Sequence, residues 1–165
     1  MKLAAIAILS IASLAAGCVD SQQTKTNAEQ QRPNQSSNNP ISSADQALER
    51  WMAQRPAQYS LVMQRTCFCL PEFVAPMRVI FANGEILSAT YLDSGDTVSL
   101  QVFKSLKNIE GWLTRISELE AKENAELKTA FNNEYGYPTY FYVDRHPRIA
   151  DDTEELKISE FSVLP

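Results

Sequence analysis

The chain has 165 residues, with 15 Lys and Arg against 20 Asp and Glu and a formal net charge of −5 at pH 7. An acidic chain without a basic run lacks the electrostatic footprint of a nucleic-acid or anionic-headgroup binder, so no nucleic-acid partner is expected. After one short apolar run at the start, no stretch approaches the roughly 18 apolar residues that a membrane-spanning helix needs.

Met1-Lys2 gives a basic start, residues 3–14 are almost wholly apolar, and Ala15-Ala16-Gly17-Cys18 closes the run. A charged start, an apolar core of about 12 residues and small residues at the cut have the layout of a secretory signal, too short for a span. Cysteine directly after Ala-Ala-Gly resembles a bacterial lipobox. The resemblance implies removal of residues 1–17 and acylation of Cys18, so that the membrane becomes a partner through lipid on that residue. Each buried acyl methylene contributes about 0.8 kcal/mol, so one chain holds weakly and two or three hold durably. Ordinary secretion, with cleavage after Ala16 or Gly17, is the alternative. Val19 rather than an acid follows the cysteine, and Asp20 comes one place later. In the sorting rule that the resemblance implies, this favours the outer membrane, facing the periplasm. Cleavage removes one lysine and no acid, leaving 14 basic residues of the original 15 against 20 acidic ones.

Residues 18–42 hold the candidate lipidated cysteine and a Gln/Asn/Ser-rich stretch with few apolar side chains. Such a segment buries too little surface to offset the entropy of ordering and is expected to be a flexible tether. About 23 such residues have a root-mean-square reach of roughly 25–30 Å.

Residues 43–165 turn globular and suit a single domain that buries about two-thirds of its unfolded surface. Ser43 with Gln46 is a capping-box signature, and Leu48, Trp51 and Met52 fall at helical spacing. Pro56 should end that helix at Arg55. Tyr59, Leu61 and Met63 alternate with Ser60 and Gln64, which predicts a strand with one half-buried face. Residues 77–82 and 85–91 flank Asn83-Gly84, the pair that best tolerates the positive φ angles of a type I′ hairpin turn. A two-residue loop would set Phe81 opposite Ile86 and Ile80 opposite Leu87. A second helix is expected from Ser105 or Asn108 to Glu123, with Ile109, Trp112, Leu113, Ile116 and Leu119 as its apolar stripe. Extended segments follow near residues 127–132, 139–144 and 156–163. The resulting fold class is α+β, with two helices packed on one face of an antiparallel sheet of about six strands, in the order α-βββ-α-βββ.

Three groups of residues resemble a family of bacterial secreted or lipid-anchored proteins known as DUF6174, a domain of unknown function. They are Tyr59 through Cys67-Phe68-Cys69; the Asn83-Gly84 hairpin; and Tyr135-Gly136-Tyr137-Pro138 followed by Asp144 and by Asp151-Asp152-Thr153-Glu154. The resemblance spans residues 47–161. His146-Pro147, before the acidic pair, departs from it. The resemblance implies a domain and no activity.

Four readings are open for Cys67 and Cys69: a structural disulfide, two buried thiols, redox exchange, or metal binding. On an extended strand their Cα atoms lie about 6.6–6.8 Å apart, the outer edge of the disulfide window, so a bond needs a kink. Pro71 supplies a reason for one. An oxidising compartment favours the bond, and with Cys18 acylated the two have only each other in the chain. For metal, two thiolates suit Cu(I) or zinc but lack further ligands nearby. His146, the single histidine, falls in a loop and is expected to be exposed. Asp144, Asp151, Asp152, Glu154 and Glu155 are expected to form a solvated acidic loop, with Ca²⁺ binding as the rival. The tyrosines at 135, 137, 140 and 142 are expected to pack the core, with a protein or glycan surface as the rival. No phosphate loop, metal cluster or nucleophile–base pair is legible, and no cofactor is expected. The chain is read as a lipid-anchored, non-enzymatic binding or envelope-maintenance module; the rival is a redox or metal-binding protein using Cys67-Phe68-Cys69.

Overall fold

In the computed structural model, which describes residues 40–122, 126–146, 148–149 and 151–165, Ser43 caps helix α1 (Ala44–Gln54). Cys18, the expected signal segment and the expected tether up to residue 39 lie outside the described residues. The Ser43 hydroxyl accepts the Gln46 N–H at 3.3 Å, as the capping box requires. Its reciprocal half is displaced: the Gln46 side-chain oxygen accepts from the N–H and hydroxyl of Ser42, each at 3.1 Å. Ile41 packs against the core, and its N–H donates to Asn133 Oδ1 at 3.2 Å. The buried stripe of α1 is Ala44, Ala47 and Trp51 with Leu48 beside it, while Met52 is 53% exposed. The turn at Gly136 lies against the α1 backbone at Ala47 and Trp51, so that side of the helix faces inward and Met52 faces out. Arg55 ends the helix before Pro56, its N–H donating to the Trp51 carbonyl at 2.7 Å.

Strands β1 (Gln58–Cys67), β2 (Met77–Ala82), β3 (Glu85–Tyr91), β4 (Glu126–Phe131), β5 (Pro138–Asp144) and β6 (Thr153–Val163) form one antiparallel sheet in the order β3-β2-β1-β6-β5-β4. Two three-stranded meanders thus join through the first and last strands. Two short helices break the expected order: α2 (Pro71–Val74) between β1 and β2, and α3 (Leu100–Ser105) ahead of α4 (Ile109–Glu120). Segments of four and six residues carry too little periodicity to be read from sequence. Asn108 caps α4, its side chain accepting the Gly111 N–H at 2.9 Å, and the five expected apolar residues are its buried ones.

β1 is buried from Tyr59 to Met63 on both sides rather than alternating. It lies at the middle of the sheet, where side chains of β2 and β6 flank its own on both faces. The hairpin forms as expected at its tip, with Asn83 and Gly84 at φ 52° and 85° and Phe81 opposite Ile86. A bulge then shifts the register, so Ile80 faces Ser88 and Leu87 is left 60% exposed. Gly84 lies under the Arg55–Glu110 ion pair, where a Cβ would crowd the guanidinium. Tyr59, Met63, Arg65, Phe141 and Leu156 share one face of the sheet, as the pairings require. On that face Trp51 of α1 meets Tyr59 edge-on at 5.1 Å, and Trp112 of α4 meets Phe141 at 6.1 Å.

Candidate functional site

β1 outruns its partner β2, whose last pair is Met63–Met77, and continues beside β6 as far as the Cys67–Glu154 pair. There the chain reverses within three residues: the Cys69 N–H donates to the Cys67 carbonyl at 2.8 Å, with Phe68 at the apex. The turn draws the two Cα atoms to 5.2 Å, inside the disulfide range, and Cys67 and Cys69 are bonded. Neither sulfur is then the thiolate that a metal would need. Leu70 follows, and Pro71 starts α2, where proline's missing N–H costs nothing.

This construction leaves Phe68 87% and Leu70 61% exposed; with Cys69 and Phe73 they line a shallow recess of about 480 Å³. Leu92 leaves β3 at the same end, its N–H on the Pro76 carbonyl at 2.9 Å, and Ile149 lies in the loop that enters β6. Four of the eight exposed large apolar residues in the described chain therefore gather at one end of the sheet.

Beneath this rim sits a buried carboxylate. Glu154, paired with Cys67 across the strands, is 7% exposed and meets three guanidinium groups. Arg65 reaches Oε1 at 3.2 Å; Arg115 of α4 and Arg145 reach Oε2 at 2.5 and 2.7 Å. Arg145 also holds the Asp152 carbonyl at 3.0 Å, and the Arg65 guanidinium lies 5.6 Å from the centre of the Trp112 ring. Burial alone pushes the Glu154 carboxyl up, but the hydrogen bond and charge of Arg115, the charge of Arg65 and the bond from Arg145 outweigh it. The net result holds it below the usual carboxylate range. The expected solvated acidic loop is thus wrong at Glu154, because Arg65 and Arg115 from distant parts of the chain and Arg145 from the preceding loop converge on it. The other carboxylates scatter: Asp144 accepts the His146 N–H at 3.0 Å, Asp151 is exposed, Asp152 turns to Arg145, and Glu155 pairs with Lys157 at 3.1 Å. Among the described residues no group of three or more His, Cys, Asp or Glu side chains is placed to hold a metal ion. His146 is exposed.

At the opposite end, Tyr135-Gly136-Tyr137-Pro138 makes the turn into β5. Asn132 organises it, its side-chain oxygen accepting the N–H of Glu134 at 3.0 Å and of Tyr135 at 2.8 Å. Gly136, at φ 90°, lies against α1, where a Cβ would collide with the Ala47 carbonyl oxygen and stand 2.9 Å from the Trp51 nitrogen. Tyr137 stacks on Phe161 at 4.6 Å, and Phe161 lies 5.5 Å from Tyr59. These motif residues build the core. Tyr140 and Tyr142 are half-buried on the other face of the sheet, with Lys128 lying 5.3 Å from the Tyr142 ring centre.

A family model described as a family of unknown function, DUF6174, matches residues 43–163 and takes in both ends of the sheet. The chain belongs to the DUF6174 family. That family's description carries no activity, so chemistry must be argued from the DUF6174 domain's own residues. No curated protein and no solved structure matches the chain. Residue order alone does not reveal the arginine cluster or the Leu70–Phe73 recess. Three arginines spread over 80 residues leave no local signal, and exposure is not encoded in residue type.

Proposed function

We propose that the chain is a cell-envelope protein anchored by lipid on Cys18 at the periplasmic face of the outer membrane, and that its DUF6174 domain is a non-enzymatic binding module. The observation that carries the binding reading is the disulfide-closed turn that holds Phe68 at 87% exposure. A large apolar side chain kept in water, with more apolar surface around it, fits a surface that a partner covers. Closing the turn in advance reduces the ordering entropy lost on docking. The chain enters the domain near Asn133, in the turn before β5, whereas Phe68 follows the far end of β1. An N-terminal tether would therefore leave the Phe68 end pointing away from its attachment and free to meet a second component. The partner class that fits an apolar knob is another protein with a complementary apolar hollow. A photo-crosslinking amino acid at position 68 should trap a reproducible adduct in cells, and the same group at exposed position 52 should not. Equal labelling from both positions would sink the binding reading. For the anchor, Cys18→Ser should abolish fatty-acid labelling and release the chain from the membrane fraction; continued labelling would refute it.

One observation favours a second reading, thiol–disulfide exchange: Cys69 is exposed. A substrate thiolate would attack Cys69 Sγ and release the Cys67 thiolate. The substrate's second thiol would then displace Cys69, leaving the substrate oxidised and both cysteines reduced. Oxidation rates of a dithiol peptide that are equal with wild type and with Cys67→Ser would remove this reading.

A further inference from the structure

We propose that the groove between β3 and the α3–α4 elbow is a second binding site, which takes an acidic, extended peptide segment of a partner protein. The groove encloses about 360 Å³, at the small end of the roughly 300–1,000 Å³ typical of ligand clefts. Ile86, Phe103 and Leu106 supply apolar lining, Lys104 and Lys107 bring two positive charges, and Glu85 stands at the β3 side.

Charge complementarity decides the occupant. The domain is acidic, and Arg55, Arg65, Arg78, Arg115, Lys128, Arg145 and Lys157 are each committed to a carboxylate. Lys104 and Lys107 make no ion pair with any described residue. Two uncommitted lysines against an apolar lining suit a segment in which acidic side chains flank an apolar one. A segment of that kind would place carboxylates on the ammonium groups and its apolar side chain between Phe103 and Ile86. The geometry favours an extended backbone because β3 is an edge strand. Among the described residues its outer side is bridged only at Thr90 by Thr97, so the stretch from Glu85 to Ser88 has no strand neighbour there among them. Unpaired edge groups accept an added strand, although the bulge at Leu87 keeps the pairing short. Affinity is therefore assigned mainly to the lysines and the apolar lining. This site is distinct from the Phe68 end, which lies past the opposite end of β1 from the hairpin.

The test uses the full lipidated chain in phosphatidylcholine nanodiscs and a fluorescent, capped hexapeptide Glu-Asp-Leu-Phe-Glu-Asp, with Gln-Asn-Leu-Phe-Gln-Asn as its neutral twin. Fluorescence anisotropy should show saturable binding of the acidic peptide and little of the twin. K104E/K107E should weaken binding about tenfold or more, whereas K122E, which reverses an exposed lysine outside the groove, should change it less than about twofold. The affinity should fall with added salt. Three results would overturn the assignment: no binding, equal binding of the neutral twin, or the same loss from K122E. A second copy of this chain as the occupant would show instead as self-association lost in K104E/K107E without peptide binding, which also overturns it. Because Phe68→Ser should leave peptide binding intact, failure here and failure at the Phe68 end are separable.

Discussion

At one end of the sheet Tyr135, Tyr137 and Phe161 close over Trp51 and Tyr59; at the other, Phe68 and Leu70 stand in water on a turn closed by a disulfide. Both ends use aromatic residues beside a tight turn, yet one turn is pressed against a helix and the other projects. The difference lies in what backs each turn. Gly136 lies against the α1 backbone at Ala47 and Trp51, so the turn before β5 sinks into the core. Beyond Met63, β1 has β6 as its one strand partner and the residues beneath the rim are charged, so Phe68 lines an open, shallow recess with Leu70 and Phe73 and does not sink into the core. Residues of two separate sequence groups within one family domain are thus structural at one end of the sheet and available for contact at the other.

The largest effect expected from breaking this contrast is at the closed end. Gly136→Ala adds a Cβ against the Ala47 carbonyl at a positive φ, and should cost about 3 kcal/mol or more, read as a lower urea midpoint. Unchanged stability would show that the turn does not sit against α1. Next comes Glu154→Gln, which leaves three guanidinium groups without their counter-charge. The arginines are partly exposed, so the cost should be about 2–3 kcal/mol, below that of a fully buried pair.

The same residue sets an acid dependence. Its folded pKa is depressed, so its stabilisation is present above the unfolded carboxyl value and is lost as pH falls through the folded one. Wild-type stability should therefore decline below about pH 4.5, and Glu154→Gln should show a shallower decline there. Parallel acid titrations of the two proteins would argue against the arginine cluster. Smaller still is Cys67→Ser, since a disulfide closing so short a loop removes little unfolded-state entropy, about 1.5 kcal/mol. Phe68→Ser should be the mildest, within about 0.5 kcal/mol, because the side chain already faces water. It should nonetheless abolish partner recognition, and a large loss of stability would mean that Phe68 belongs to the core after all.

Several of these features were legible in residue order, and the reason in each case is local. Asn83-Gly84 specifies its turn through backbone sterics alone, and the α4 stripe follows from helical spacing. The Cys67–Cys69 bond was legible as one of four options, needing only a kink that a three-residue turn supplies. Where the reading failed, a distant neighbour had decided. Met52 was expected inside because it continues the spacing of Leu48, but Gly136 lies against the backbone at Ala47 and Trp51, and that side of the helix faces inward. Ile80 was expected opposite Leu87, and the bulge that prevents it has no signature in the residues concerned.

Residue order was enough for the α+β class, the turn at Asn83-Gly84, the candidate anchor cysteine and the membership of residues 43–163 in one domain family. Those properties rest on periodicity, backbone preference and short motifs, all of which act over a few residues. Tertiary structure alone decided that β1 and β6 meet at the centre, that Arg65, Arg115 and Arg145 converge on Glu154, and that Phe68 is left in water while Tyr137 is buried. Each of these is set by which distant segments come into contact, and burial and charge pairing exist only once that contact is made.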